Sequence, residues 1–211
     1  MSNDVLVLVG CPLSPNFRAD SRVVGMLEAW RAKNVLTYYP STGAAECGQD
    51  KIVQFAKRMI PRPTHILFVD YDVLPRPNTL TKLLEHDKDI ISGVYPIIQK
   101  CDIKWCLSKD EKFNLMEIED LPNNPFKANV VCNGIMLVKM EVFDKIEWPY
   151  WRTEYSVGGI DAGADIYFCR KAKAAGYDLW IDPKIKCNHF KMVDLLGIVK
   201  KYVKGNRNVP N

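Results

Sequence analysis

The chain has 211 residues, a net charge of +4, an apolar fraction of 47% and a charged fraction of 26%. That length suits one domain with its own core and makes two independent catalytic domains unexpected, while the ordinary composition excludes disordered and fibrous classes. So mild a basic excess permits an anionic ligand such as a nucleotide; nucleic acid is allowed but not implied.

No apolar stretch approaches the ~20 residues of a membrane span, and "MSNDVLVLVGCP" carries an acid with no basic region before a short apolar run, so it reads as a first strand and not as a signal peptide. The seven cysteines are odd in number and form no regular framework, which predicts free thiols in a reducing compartment, by default the cytoplasm. Cys101 and Cys106 lie close together without a CxxC spacing or a nearby histidine, and are expected to be structural thiols.

"DVLVLVG" is the continuous apolar run of a strand covered on both faces. Val23, Val24, Met26, Leu27 and Trp30 then recur at helical spacing behind Asp20 or Ser21 as a cap. "NVLTYYP" supplies a second strand, "STGAAECGQD" a loop, and "KIVQFAKRMI" an amphipathic helix stopped by Pro61. "HILFVD" is the third strand. This alternation predicts a crossover sheet, so the first ~75 residues read as a nucleotide-binding α/β half.

A short helix begins at Pro77 or Asn78, and "IISGVYP" is the next strand. "IKWCLS" and "FNLMEI" suggest smaller, partly antiparallel strands, and "NVVCNGIMLVKM" one strong buried strand, so the sheet is expected to be mixed. "EWPYWRTEYSVGGIDAG" lacks a period and reads as a long surface loop whose aromatics either stack on a sugar or base or anchor packing. A helix closed by Gly176 follows, then short strands to His189. In the final segment Met192, Leu195, Leu196, Val199, Tyr202 and Val203 share one helical face, expected to dock on the core in preference to a membrane surface.

The stretch "HILFVDYDVLP" places Asp70 and Asp72 one residue apart where an apolar strand ends. Ligands of α/β sheets gather outside such carboxyl ends. Two carboxylates this close repel unless a cation is nearby, and a divalent ion carrying a diphosphate would serve, Mg²⁺ or Mn²⁺ in preference to zinc. Taken alone, the pair reads equally as a strand end and a turn before Pro75.

"FVDYDVLPRPNTL" resembles the metal-binding DxD segment of GT-A glycosyltransferases, especially the family-two-like group. "ISGVYP" is similar to the strand after the DxD helix in such enzymes, whose end lines the donor-sugar pocket, and "CNGIMLVKMEVFDKI" to their glycine-bearing strand and short helix. "GADIYFCRKAKAAGYDLWIDPKIKCNH" is similar to their G-E-D-x-x-F-C-x-[RK]-x-x-x-x-G segment ending in Asp-Pro and a distant histidine. The resemblance runs over residues 5–190 in element order and rests on particular residues in 66–96 and 131–189.

It implies a single GT-A-like α/β domain over residues 1–190, with a Rossmann-like nucleotide-binding half and a mixed central sheet flanked by helices, and a C-terminal amphipathic helix and tail over 191–211. It further implies a hexosyltransferase that uses Mn²⁺ or Mg²⁺ and a nucleoside-diphosphate sugar, a UDP-sugar first among the donors. Asp72 would coordinate the metal, Asp70 would hold the ribose or the metal's water shell, and His189 would approach the same ion. Tyr71, Gly93, Tyr95 and Gly134 would border the donor, and Asp165 would be the catalytic base, held ionised by its helix N-terminus.

The acid that usually precedes that base is Ala164 here, which leaves Asp165 to suffice alone, Asp161 to take part, or activity to be weakened. The bland readings stay open: Asp165 as a first-turn acid and His189 as a satisfied histidine beside Phe190. Pro12 and Arg18 or Arg22, in the exit loop of the first strand, could border the base and phosphate; that loop lacks G-x-G-x-x-G, which argues against a Rossmann dehydrogenase, and lacks the glycine-rich loop of sugar nucleotidyltransferases. The acceptor hydroxyl is left open among a saccharide, a protein and a hydroxylated base of modified DNA, as is the oligomeric state. The alternatives are a weakened sugar-nucleotide-binding module and a phosphohydrolase of the haloacid dehalogenase type.

Overall fold

The computed structural model describes residues 5–13, 19–99, 102–110, 114–131 and 133–192. In chain order its elements are β1 (Val7–Gly10), α1 (Ser21–Ala29), β2 (Val35–Tyr38), α2 (Ala45–Arg58), β3 (His65–Val69), β4 (Val73–Leu74), α3 (Thr79–Glu85), β5 (Ile90–Val94), β6 (Pro96–Gln99), β7 (Asp102–Trp105) and β8 (Leu107–Ser108). There follow β9 (Phe126–Ala128), β10 (Val130–Val131), β11 (Ile135–Lys139), α4 (Val142–Lys145), β12 (Glu154–Ser156), β13 (Gly159–Ala162), α5 (Ala164–Ala174), β14 (Leu179–Lys186) and β15 (Asn188–His189).

Seven strands form one sheet in the order β2-β1-β3-β11-β5-β14-β9. The β2-β1-β3 and β5-β14 pairs are parallel, while β11 runs antiparallel to both β3 and β5, and β9 antiparallel to β14. The sheet is therefore mixed, as the change of pattern after β5 predicts. The apolar runs are continuous because both faces are covered. Ile66 and Phe68 of β3 point into a cluster with Ile52, Val53, Phe143 and Phe168 beneath α2, α4 and α5. Leu67 and Val69, one residue out of phase, join Val23, Leu27, Leu80 and Leu83 beneath α1 and α3.

Several elements differ from the sequence reading. α2 begins at Ala45, inside the segment read as loop, and ends at Arg58, before Pro61. The polar residues that disguise its first turns hold the aromatic segment: Asp50 Oδ1 accepts from the backbone N–H groups of Tyr150 and Trp151, and Glu46 accepts from the Thr153 hydroxyl. "NVVCNGIMLVKM" is two strands, β10 and β11, broken by a turn at Asn133 and Gly134. In "FNLMEI" the described residues contribute one bridge, Met116 to Trp105, and the short strands read before His189 are mainly the eight-residue β14.

The segment read as a surface loop contains the β12–β13 hairpin and two core aromatics. Trp151 is 2% exposed and stacks on Phe168 with centroids 4.7 Å apart, and Tyr150 packs edge-on against Phe143; both are packing anchors, whereas Trp148 and Tyr155 are exposed. The helix read from Met192 to Val203 lies outside the described residues apart from Met192 itself. Cys11, Cys47, Cys106, Cys169 and Cys187 are free; Cys101 lies outside the described residues. No helix among the described residues is long and apolar enough to cross a membrane.

Candidate functional site

β3 ends near the middle of the sheet, and the chain turns at once: the Asp70 N–H donates to the Gly134 carbonyl, and the Val73 N–H returns to the Asp70 carbonyl. This turn sets Asp70 and Asp72 at the carboxyl end of β3. β4 then pairs antiparallel with β15, with Val73 opposite His189, and the Phe190 N–H donates to the Asp72 carbonyl at 2.9 Å. A two-stranded ribbon thus carries His189 from the far end of the chain to the acids.

His189 is held in one orientation. Its Nδ1 lies 2.8 Å from the Pro96 carbonyl, and because a carbonyl only accepts, Nδ1 carries the proton. The other nitrogen, Nε2, faces Asp72 Oδ1 at 3.4 Å. A backbone carbonyl that fixes the tautomer in this way is the usual second support of a metal-binding histidine. Tyr95 packs edge-on against the imidazole at 5.0 Å, and its hydroxyl accepts from the Gly134 N–H at 3.2 Å. A Cβ on Gly134 would lie 2.5 Å from the Tyr95 ring; glycine there lets the ring reach the histidine. Gly93 makes room for β14 in the same way, since a Cβ would lie 2.7 Å from the Ile185 carbonyl oxygen.

The charges at this corner oppose one another. Burial pushes the Asp72 carboxyl up, but the His189 imidazole and the Lys191 ammonium beside it outweigh burial and hold the group below its ordinary value. The Lys191 ammonium lies 2.5 Å from Asp72 Oδ2. Asp70 moves the other way, pushed up to about 7 by burial first and then by the nearby carboxylates of Asp165 and Asp72. Both acids also act on Cys11 at the end of β1, whose thiol is raised to about 12, mainly by burial.

Asp165 stands in the first turn of α5 and accepts a hydrogen bond from the Asn133 side-chain amide. Asn133 is 2% exposed, and its own Oδ1 is buried without a hydrogen-bond partner. Ala164 is half-buried and packs against the core, a position where a second carboxylate would be costly. Asp161 lies on the exposed hairpin and accepts from the Ser156 hydroxyl at 2.7 Å.

Tyr71 is half-buried and its carbonyl accepts from the Asp20 N–H. Pro12 is buried against α2, where Gly48 has no room for a side chain: a Cβ would lie 2.6 Å from Pro12 Cβ. Arg18 lies outside the described residues; Arg22 sits at the start of α1 with its guanidinium 3.6 Å from the centroid of the Phe190 ring. The corner therefore brings Asp70, Asp72, His189 and Asp165 together and leaves Asp161 on the hairpin. Sequence reasoning missed Lys191 and Asn133; a lysine two residues past the histidine and an asparagine before a strand glycine carry no signal without the fold.

The donor chemistry at this corner, two carboxylate groups and an imidazole nitrogen with its tautomer fixed, suits Mn²⁺ or Mg²⁺. Among the described residues no three histidine, cysteine or acidic side chains are grouped closely enough to hold a metal ion by themselves. Asp72 and His189, which stand in contact, would supply part of an ion's shell once Lys191 leaves Asp72.

No family model matches the chain, and no curated protein does. Solved structures do. The crystal structure of A197 from STIV superimposes with a TM-score of 0.63 at 15% identity, over 89% of this chain and 87% of that one. The crystal structure of GalNAc-T7 with UDP, GalNAc and Mn²⁺ superimposes with a TM-score of 0.55 at 11% identity; 95% of this chain covers 48% of that one, so the chain spans about half its length. The mixed α/β architecture is thus that of a GT-A glycosyltransferase fold.

Proposed function

We propose that the chain is a metal-dependent glycosyltransferase that moves a sugar from a nucleoside-diphosphate sugar, a UDP-sugar in the first instance, to an acceptor hydroxyl. The observation that carries this reading is the convergence of Asp70, Asp72 and His189 at the end of β3 with Asp165 close enough to raise the Asp70 carboxyl. The likeness to a fold that in GalNAc-T7 holds UDP, GalNAc and Mn²⁺ supports it.

In this reading Asp72, His189 and Asp70 would hold Mn²⁺ or Mg²⁺. When bound, the ion neutralises charge on the departing diphosphate. Asp165, oriented by Asn133, takes the proton of the acceptor hydroxyl. The acceptor oxygen forms a bond to the anomeric carbon as the bond to the diphosphate breaks, and the electron pair leaves with the diphosphate. Attack from the face opposite the leaving group inverts the anomeric centre. Gly134 and Tyr95 keep His189 in place, while the Arg22 guanidinium beside Phe190 is neutralised by Asp20 at 2.6 Å.

Ala164 favours a second reading, a module that binds nucleotide sugars without turning them over. A phosphohydrolase of the haloacid dehalogenase type is poorly supported, because its acid pair is expected after the first strand and this pair follows β3. Assaying UDP release from several UDP-sugars with Mn²⁺, in the wild type and in Asp165→Asn, separates the three. Turnover lost in the variant with donor binding retained supports the transferase. Tight donor binding without turnover for any acceptor supports the module, and phosphate release independent of nucleotide supports the hydrolase.

A further inference from the structure

Beyond the acid cluster, a cavity of about 500 Å³ opens at the carboxyl end of β14, a volume suited to a small molecule. Arg76, Lys184 and Lys186 line it together with Trp105, Asn123 and Pro183, and no carboxylate is among its walls. The three cations are exposed, and among the described residues none of them makes an ion pair. Acids flank the wall in sequence, Asp182 beside Pro183, Glu117 and Glu119 beside Ile118, and Asp120 beside Leu121; Asp182 is engaged by His86 Nε2 at 2.8 Å and by the Lys184 backbone N–H, and Glu117 pairs with Lys104. The Trp105 indole N–H is committed to the Ile118 carbonyl, so Trp105 offers the cavity apolar ring surface, with the Lys186 ammonium 5.6 Å from its centroid.

The cavity and the acid cluster share one ribbon. Asp72 and Phe190 flank the β4–β15 ribbon at one end; at the other, the chain runs on from β4 to Arg76 and enters β15 from Lys186, the last residue of β14. Arg76 is four residues beyond Asp72, about 13 Å at the rise of an extended chain. The cavity wall comes from β14, on the opposite side of β3 from the β1–β2 half that the nucleotide is expected to occupy.

Resting on the transferase reading, we infer that this cavity holds the phosphate of a small phosphorylated acceptor. Three cations without an ion pair among the described residues, one of them a guanidinium that can grip two oxygens at once, match a multiply charged oxyanion, and the indole surface suits the carbon face of a sugar ring. A cavity of this size and a net charge of only +4 favour a small ligand over a nucleic-acid strand, which needs a track of phosphate contacts.

The test uses the full chain in EDTA, titrated with inorganic phosphate, glucose 6-phosphate and glucose by calorimetry. It is run beside the variant Arg76→Gln/Lys184→Gln/Lys186→Gln and an equal-charge control, Lys33→Gln/Lys51→Gln/Arg58→Gln, whose positions are likewise exposed. The expected result is glucose 6-phosphate binding to wild type and control, at least tenfold weaker in the cavity variant, with glucose weaker than its phosphate in wild type and control and, in a separate titration without EDTA, UDP with Mn²⁺ bound equally by all three. Phosphate affinities within twofold in all three proteins overturn the site. A twelve-nucleotide single strand that binds where phosphate and glucose 6-phosphate do not overturns the small-ligand assignment. Cavity-dependent phosphate binding in a wild type that binds no UDP with Mn²⁺ overturns the acceptor role together with the transferase reading, while UDP binding with no phosphate site overturns this inference alone.

Discussion

The Lys191 ammonium occupies Oδ2 of Asp72, while His189 Nε2 faces Oδ1 of the same carboxylate. An internal cation therefore sits where the proposed ion has to bind, and a divalent metal alone must displace it. Lys191→Ala is expected to bind Mn²⁺ without nucleotide about tenfold more tightly, on the order of 1.4 kcal/mol, the scale of a half-exposed ion pair. Calorimetry with Mn²⁺ checks this, and equal affinity would mean that Lys191 does not compete.

Asp70 predicts a pH dependence of definite sign. Its carboxyl is raised to about 7, so between about pH 4, the ordinary aspartate value, and about 7 the folded chain keeps a proton that the unfolded chain has lost. Stability falls as pH rises through that window and levels off above it. Asp70→Asn removes the cost: its melting temperature in EDTA should exceed that of the wild type at pH 8 by on the order of a few degrees and match it near pH 3.5. Mn²⁺ affinity of the wild type should climb with pH up to about 7, because the ion competes with that proton.

Asp165→Asn should lower turnover by at least ~100-fold, the lower range for a positioned general base, and leave UDP affinity with Mn²⁺ within about threefold. Asn133→Leu removes the side-chain amide that orients Asp165 together with the unpartnered oxygen. It should lower kcat by about tenfold with KM for the donor little changed, which steady-state kinetics would separate from a folding defect.

The sheet was legible in the sequence because its strands are covered on both faces: β1, β3, β5 and β11 announce themselves as apolar runs, and the acids that end β3 stand out against them. The start of α2 was not, since Glu46, Gln49 and Asp50 make it look like a loop, and two of these serve a segment a hundred residues away. Trp151 was hidden for the same reason: an aromatic without periodic neighbours says nothing of burial until Phe168 and Phe143 surround it. At the site, Asp70, Asp72, Asp165 and His189 were readable as residue types in order. Lys191 and Asn133 matter only through ribbon and turn geometry, which no local pattern encodes.

Gly134 tests the support behind His189. In Gly134→Ala the added methyl meets the ring of Tyr95, a residue 3% exposed and wedged against the imidazole, so neither can yield freely. A loss of about 1–3 kcal/mol is expected from such overpacking, read by urea unfolding in the absence of metal. Tyr95→Phe, which keeps the ring and loses only the acceptor for the Gly134 N–H, should cost less, about 1 kcal/mol.

The central claim is that Asp72 and Asp70 hold a divalent ion that bridges to a diphosphate. It is tested most directly by titrating UDP into the full chain by calorimetry, with Mn²⁺ and with EDTA, for the wild type and Asp72→Asn. The account predicts UDP binding that needs Mn²⁺ in the wild type and falls at least tenfold in the variant. UDP affinity that is the same with and without Mn²⁺, or untouched by Asp72→Asn, would contradict it.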